Sequence, residues 1–228
     1  MEFIHSSLKS SDGNVTVIPS QINYAGNSIG TYAAEAWNHE LSLLPKAGKA
    51  KPNENNYGPI FHLHPVMFIH SGEEKPKTLV DASSPIDIKK ETPVFINLIH
   101  FYAAEGEDGY DDPSLRYVVR ELAETTDKST LKLEINGKSI PQLNLSETYA
   151  ESPAFHLTTP IGALDQKRYY RGDQTFSLPA TAAYGTLAVA AGYYVLLKFE
   201  PDNYTIVFDG KSSLYDFETV SKYTLHVT

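Results

Sequence analysis

The sequence predicts a mainly β protein, an antiparallel β-sandwich with two short helices, folded as a single domain over residues 1–228. Most of the chain alternates apolar and polar residues with a period of two, which is the pattern of half-buried strands. Two stretches in the N-terminal half follow a helical repeat instead, and Gly, Pro and Asn punctuate the connections. A chain of 228 residues is long enough to bury one substantial sandwich core.

Composition and charge exclude several classes of protein. Apolar residues make up 41% of the chain and charged residues 21%, which is typical of a folded globular protein rather than a disordered one. The formal net charge is −9, and no run of Lys or Arg is longer than Lys89-Lys90, so nucleic acid is not an expected partner. No apolar window approaches the roughly 18 residues of a membrane span. We therefore expect a soluble protein. The absence of cysteine excludes disulfides and thiolate chemistry.

The first helix is predicted from Ser28 to Leu44. Ser28 or Thr31 can cap its N-terminus, and Pro45 ends it because proline has no backbone N–H and clashes with the preceding turn. The segment is therefore predicted to be an amphipathic helix. Its apolar positions are Ile29, Ala33, Ala36, Trp37, Leu41 and Leu44.

The second helix is predicted from Pro113 to Glu124. Asp112 precedes it as a natural N-cap, and Pro113 occupies the first helical position, where its missing N–H costs nothing. We expect its apolar face to dock on a sheet. That face consists of Leu115, Val118, Val119 and Leu122, at positions i, i+3, i+4 and i+7.

Alternating residues and turn signals predict strands through the C-terminal half. Leu131, Leu133 and Ile135 share one face of a strand, and Asn136-Gly137 after them is a strong hairpin signal. A second turn is predicted at Pro201-Asp202-Asn203. The remaining strands are predicted near residues 193–199, 204–209 and 222–228.

Residues 60–70, IFHLHPVMFIH, form the sharpest chemical feature of the sequence, because three of its eight histidines fall within them. We expect this histidine stretch to be one extended strand. Its odd-numbered residues are all apolar, so their face is predicted to point into the core. His62, His64 and His70 share the opposite face, toward solvent or toward whatever covers that side.

His62 and His64 are predicted as half of a metal site. Alternate residues of a strand have Cα atoms roughly 6.6 Å apart, and two imidazoles at that spacing can share an ion at about 2.0–2.1 Å. His100, which ends the apolar strand VFINLIH, and Glu105 just beyond it are the best further ligands, with His70 behind them. Glu105 would act as ligand or general base, and the ion would be zinc or copper with a water in its open position.

The alternative is an outer strand face that carries imidazoles and no ion, since no second motif at fixed spacing supports the site. By simple alternation His100 belongs to the face of Val94, Ile96 and Leu98. It can therefore meet His62 only if the two strands are neighbours in the matching register.

Aromatic residues in two polar segments are a second candidate for binding. YAESPAFH and DQKRYYRGDQTF have weak strand character and are predicted as loops of the sandwich. Aromatic side chains on such loops can stack against sugars or other flat ligands, and equally they can cap the ends of the core. The candidate ligand-binding residues are Tyr149, Phe155, Tyr169, Tyr170 and Arg171.

The C-terminal part resembles a family of uncharacterised secreted bacterial and archaeal proteins. Members carry a pattern of the kind DGYW, an apolar stretch, LKPL and PGxHTIxFxG, closing with YxLxV; here AAGYYVLLKFEPDNYTIVFDG and KYTLHV stand in the same order. Upstream segments including LSLLP and GPIF can be laid alongside the family in order, so the similarity spans residues 32–227. The resemblance implies an exported β-sandwich and supplies no activity. HLH at 62–64 departs from the apolar or small residues of relatives.

These features predict an exported protein, secreted or periplasmic, that binds a small molecule, a glycan or a protein partner through its loops, with no catalysis assigned. The alternative is a zinc- or copper-dependent enzyme built on the histidine stretch.

Overall fold

Two β-sheets and two helices make up most of the part of the chain that the computed structural model describes. The described residues are 8–10, 13–42, 56–57, 60–63, 67–69, 80–81, 85–105, 111–141, 143–157, 168–170, 174–176, 185–213 and 217–228. The helices are α1 (Ile29–Ser42) and α2 (Asp112–Glu124). In chain order the strands are β1 (Val15–Ile18), β2 (Asn56–Tyr57), β3 (Ile60–Leu63), β4 (Met67–Ile69), β5 (Val80–Asp81), β6 (Ile86–Ile88), β7 (Val94–Ala104), β8 (Thr126–Ile135), β9 (Lys138–Ser139), β10 (Tyr149–Glu151), β11 (Phe155–His156), β12 (Arg168–Tyr170), β13 (Gln174–Phe176), β14 (Leu187–Phe199), β15 (Asp202–Ser212) and β16 (Phe217–Val227).

Sheet 1 is built around β7 and β14, which pair antiparallel along most of their length. On the far side β7 pairs in parallel with β3, and β3 carries β2. Three short strands, β1, β10 and β11, follow one another along the free side of β14. The β7–β14 ladder contains one bulge, in which Tyr193 faces Ile99 and Tyr194 faces Asn97, so Leu98 is the extra residue.

Sheet 2 is built around β15 and β16, again antiparallel. β15 pairs on its other side with β8, which turns back into β9. β16 pairs on its other side with β4, β5 and β6 in succession, the last two in parallel. β12 and β13 pair only with each other among the described strands.

The main core lies between the two sheets and is made by the alternating apolar residues of both. Phe61 and Leu63 come from sheet 1, and Leu133 and Phe208 from sheet 2, all nearly inaccessible to solvent. α2 docks through Leu115, Val119 and Ala123 onto the same face of sheet 1, beside this core. α1 covers the opposite face of sheet 1 through Ile29, Tyr32, Ala33, Ala36 and Trp37.

The predicted β-sandwich with two short helices is confirmed. Ser28 caps α1, because its Oγ accepts a hydrogen bond from Thr31 N at 3.1 Å. The hairpin signal is confirmed as well, since Asn136 and Gly137 have φ values of 52° and 75° and join β8 to β9. Within the described residues, neither helix is long and apolar enough to cross a membrane.

Two local predictions are wrong. The cap of α2 is Asp111 rather than Asp112: Asp111 Oδ1 accepts from Ser114 N at 3.0 Å, and Asp112 is the first helical residue. The histidine stretch is not one strand, because β3 belongs to sheet 1 and β4 to sheet 2. Pro65, which lies between them and outside the described residues, has no N–H to offer a strand ladder.

Candidate functional site

The face of sheet 1 beneath α1 contains His62. This histidine lies on β3 opposite Phe95 of β7, with the two ring centroids 5.4 Å apart. Phe95 packs in turn against Tyr32 of α1, at 6.0 Å between ring centroids. His62 is 0% exposed, so the histidine face of β3 is covered rather than open to solvent.

A β-bulge decides the direction of His100. The extra residue, Leu98, inverts the alternation of β7 beyond it, because a shift of one residue turns every later side chain to the other face. His100 therefore stacks on Trp37 of α1, with ring centroids 4.2 Å apart, and is only 2% exposed. The prediction that it shares the face of Val94 and Ile96 is wrong for this reason.

His62 and His100 thus lie on the same face of sheet 1 but at different positions along the strands. The position opposite His62 is residue 95, five residues before His100, which corresponds to roughly 15 Å along the strands. Glu105 is five residues further on, so these three side chains do not meet at one ion. No group of three His, Cys, Asp or Glu side chains in the described part of the chain is arranged to hold a metal ion. Because His64 and His70 lie outside the described residues, zinc or copper binding by the histidine stretch stays a prediction.

Tyr149 and Phe155 lie on strands rather than on the predicted loops. They belong to β10 and β11, which pair with the edge of β14. Tyr149 packs edge-on against Tyr193 at 5.8 Å between ring centroids, on the inner face of sheet 1. Phe155 packs in the cluster around Trp37 on the outer face. The two aromatic candidates therefore do not converge on one ligand.

The other predicted ligand-binding residues, Tyr169, Tyr170 and Arg171, lie farther along the chain. Tyr169 and Tyr170 are part of β12, again a strand and not a loop. Arg171 lies outside the described residues. A ligand-binding role for this group stays a prediction.

Tyr149 belongs instead to an ionic network that ties α2 to β10. Arg120 donates two hydrogen bonds to the Glu151 carboxylate, at 2.7 and 2.9 Å, and Tyr149 Oη donates a third at 2.8 Å. The Arg120 hydrogen bonds hold the pKa of Glu151 below its ordinary value, whereas burial raises the pKa of Tyr149. Arg116 Nη1 donates to Ser152 O at 2.9 Å and fixes the end of β10. The network is structural, since all its groups are engaged with one another.

A cleft lies at the edge of sheet 1. β1 ends at Ile18 opposite Leu196, and β10 begins at Tyr149 opposite Tyr193. Among the described strands none pairs with the edge of β14 between these two, and a cleft of about 210 Å³ opens over it. We call this feature the edge cleft.

Two loops form the walls of the edge cleft. One is the chain that follows β1, where Ile22 N donates to Pro19 O at 3.0 Å and closes a turn. The other is a short 3-10 turn, Leu145–Glu147, capped by Asn144. The apolar lining includes Leu8, Ile18, Ile29, Leu143 and Leu196, and the polar lining consists of Ser20, Gln21, Asn144, Glu147 and Thr148, with Tyr194 below.

Sequence reasoning did not find the edge cleft, because its walls come from three distant parts of the chain. The local signals were present: Pro19 follows an alternating segment, and the run Asn144 to Glu147 has the composition of a capped turn. Neither signal states that the two turns meet across the edge of β14. Only strand pairing brings them together.

The fold and the edge cleft define a class of protein: a two-sheet β-sandwich with a helix on each face of one sheet and a small concave site at that sheet's edge. Comparisons with protein-family models, with curated proteins and with solved structures find no match for this chain. The resemblance to an exported family stays a prediction.

Proposed function

We propose that this protein is a binding protein for a small polar molecule, held in the edge cleft by loops of the sandwich. The observation that carries the proposal is the cleft itself, which combines an apolar floor with five polar side chains. Concave sites with an apolar lining and a few converging polar groups are the usual form of a small-ligand site. The residues proposed to bind the ligand are therefore those that line the cleft, and not the aromatic residues predicted from the sequence.

The size of the edge cleft limits the ligand. Its volume is about 210 Å³. Sites for drug-sized ligands are larger, at about 300–1,000 Å³. A molecule of the size of one sugar ring matches this space, and a longer glycan would extend into solvent through the open side.

An exported location is part of the proposal and rests on the family resemblance. The absence of cysteine from the sequence is compatible with a secreted or periplasmic protein and equally with a cytosolic one. Fractionation of the native organism, with the chain detected by antibody, tests this part independently of ligand binding.

Amide NMR titration of the isotope-labelled protein with a library of small polar compounds tests the binding proposal. We expect at least one compound to give saturable shifts confined to residues 18–21, 143–148 and 194–196. Ser20→Trp, which places an indole in the lining, should abolish these shifts. Glu121→Trp adds the same side chain on the exposed side of α2 and should leave them unchanged.

The proposal is wrong if no compound perturbs these residues, or if every saturable response lies elsewhere and survives Ser20→Trp. Gln21→Trp, at an exposed lining position, serves as a second blocking variant if Ser20→Trp does not fold.

A further inference from the structure

The charge that lines the edge cleft is negative. Glu147 is the only charged side chain among its described lining residues, and neither Lys nor Arg contributes. Lys198, on the neighbouring stretch of β14, holds its Nζ 5.1 Å from the centre of the Tyr24 ring and does not line the cleft. The chain as a whole carries a formal net charge of −9, which adds to the negative potential.

The Glu147 carboxylate is held in place before any ligand arrives. Asn144 Nδ2 donates to Glu147 Oε1 at 2.8 Å. The orientation of the Asn144 amide is fixed in turn, because its Oδ1 accepts from Ser146 N at 3.2 Å and from Ser146 Oγ at 2.7 Å. A carboxylate that is positioned in advance loses less conformational entropy when it binds a ligand.

The Glu147 carboxylate favours a ligand that donates hydrogen bonds. An ionised carboxylate can only accept them. Thr148 Oγ1 donates its proton to Leu145 O at 2.8 Å, so toward the cleft this hydroxyl offers lone pairs only. A primary ammonium group carries three donors and a positive charge on one compact atom. An anionic ligand would meet the Glu147 charge with no cation to offset it.

We propose that the edge cleft selects small molecules bearing a primary ammonium group over neutral and anionic analogues of the same size, with Glu147 as the residue that determines this selectivity. This inference rests on the proposed function, because it names the ligand class of the same site.

Three sugars with the same ring size separate the effect of ligand charge on affinity from the effect of ligand shape. They are glucosamine, which is cationic, glucose, which is neutral, and glucuronate, which is anionic. We would measure their affinities by calorimetry and amide NMR at about pH 6, where the amine of glucosamine is protonated. Glucosamine should bind roughly fivefold to tenfold more tightly than glucose, the effect of one charged hydrogen bond on a partly solvated group, and glucuronate should bind least. Glu147→Gln should remove the preference, and Glu121→Gln, on the exposed side of α2, should retain it.

Glucose binding as tightly as glucosamine, or a preference that survives Glu147→Gln, overturns the inference and leaves small-molecule binding in place. The absence of saturable binding by all three sugars also overturns it. In that case the library titration decides separately whether the edge cleft binds anything.

Discussion

At the scale of single residues, burial on the face of a sheet changes the pKa of Asp209. Asp209 lies on β15 opposite Lys132 of β8, with Glu134 and Glu218 also close enough to act on its charge. The pKa of Asp209 is raised from 3.8 to about 6, chiefly by burial and in smaller part by the two glutamates, whereas Lys132 acts in the opposite direction. The folded state thus binds this proton more tightly than the unfolded state does. Stability should therefore fall as the pH rises from about 4 to about 6 and remain lower above that.

Asp209→Asn should increase the free energy of unfolding by about 1–2 kcal/mol near neutral pH, allowing for partial exposure of the group. The gain should disappear below about pH 4, where the carboxyl is neutral in both states. Urea unfolding at several pH values measures it. Asp127→Asn is the matched control. Because hydrogen bonds from Ser129 lower the pKa of Asp127, this substitution should lower the free energy of unfolding near neutral pH instead of raising it. Equal pH profiles for the two variants would contradict this account.

Gly192 is a residue whose identity the structure explains. It faces His100 across the β7–β14 ladder, and a Cβ at this position would overlap Ile99 O and lie 2.7 Å from His100 Cα. Gly192→Ala should therefore destabilise the protein by about 2–3 kcal/mol, since backbone atoms of a central strand cannot yield as side chains do. Gly210→Ala is the control: its new Cβ would first meet Leu131 Cδ2, at 3.1 Å, and should cost about 1 kcal/mol or less. Thermal unfolding of both variants tests the order, and equal losses would refute it.

At the scale of elements, the start of α2 distinguishes two adjacent aspartates. Asp111 forms a capping box with Ser114, whereas Asp112 makes a surface ion pair with Arg116 Nε at 3.0 Å. Asp111→Ala should lower the free energy of unfolding by more than Asp112→Ala does, because the first turn of the helix loses the acceptor of its cap. Asp112→Ala should cost about 0.3–0.5 kcal/mol, as for an exposed i,i+4 pair. Urea unfolding of the two variants compares them directly. A larger loss of stability for Asp112→Ala would instead support Asp112 as the cap, as predicted from the sequence.

At the scale of the whole molecule, the shared core predicts cooperative unfolding. The main core joins residues from β1, near the N-terminus, to β16, near the C-terminus, and both sheets contribute to it. Trp37 is the only tryptophan and belongs to α1, which packs on the other face of sheet 1. Its fluorescence and the far-UV circular dichroism should therefore report one coincident transition. Two separated transitions, or two stable halves after limited proteolysis, would show that the chain is not the single domain that its length and pattern predict.

The sequence by itself determined which face of most strands is apolar, where both helices begin and where the second ends to within about two residues, and where one hairpin turns. The predicted end of the first helix at Leu44 lies outside the described residues. Phe61 and Leu63, Leu133 and Ile135, and the Asn136-Gly137 turn all match. These features are local: alternation, caps and turn residues act within a few positions and need no knowledge of the partner strand.

Only the tertiary structure decided the features on which the candidate sites depend. Pairing divides the histidine stretch between two sheets, one bulge residue turns His100 toward Trp37, and the gap between β1 and β10 opens the edge cleft. Each depends on which strand lies beside which, and in what register, and a shift of one residue reverses every later side chain. Such pairings are fixed by contacts between distant parts of the chain. The residues that line the cleft therefore carry no shared pattern in the sequence, although they meet in space.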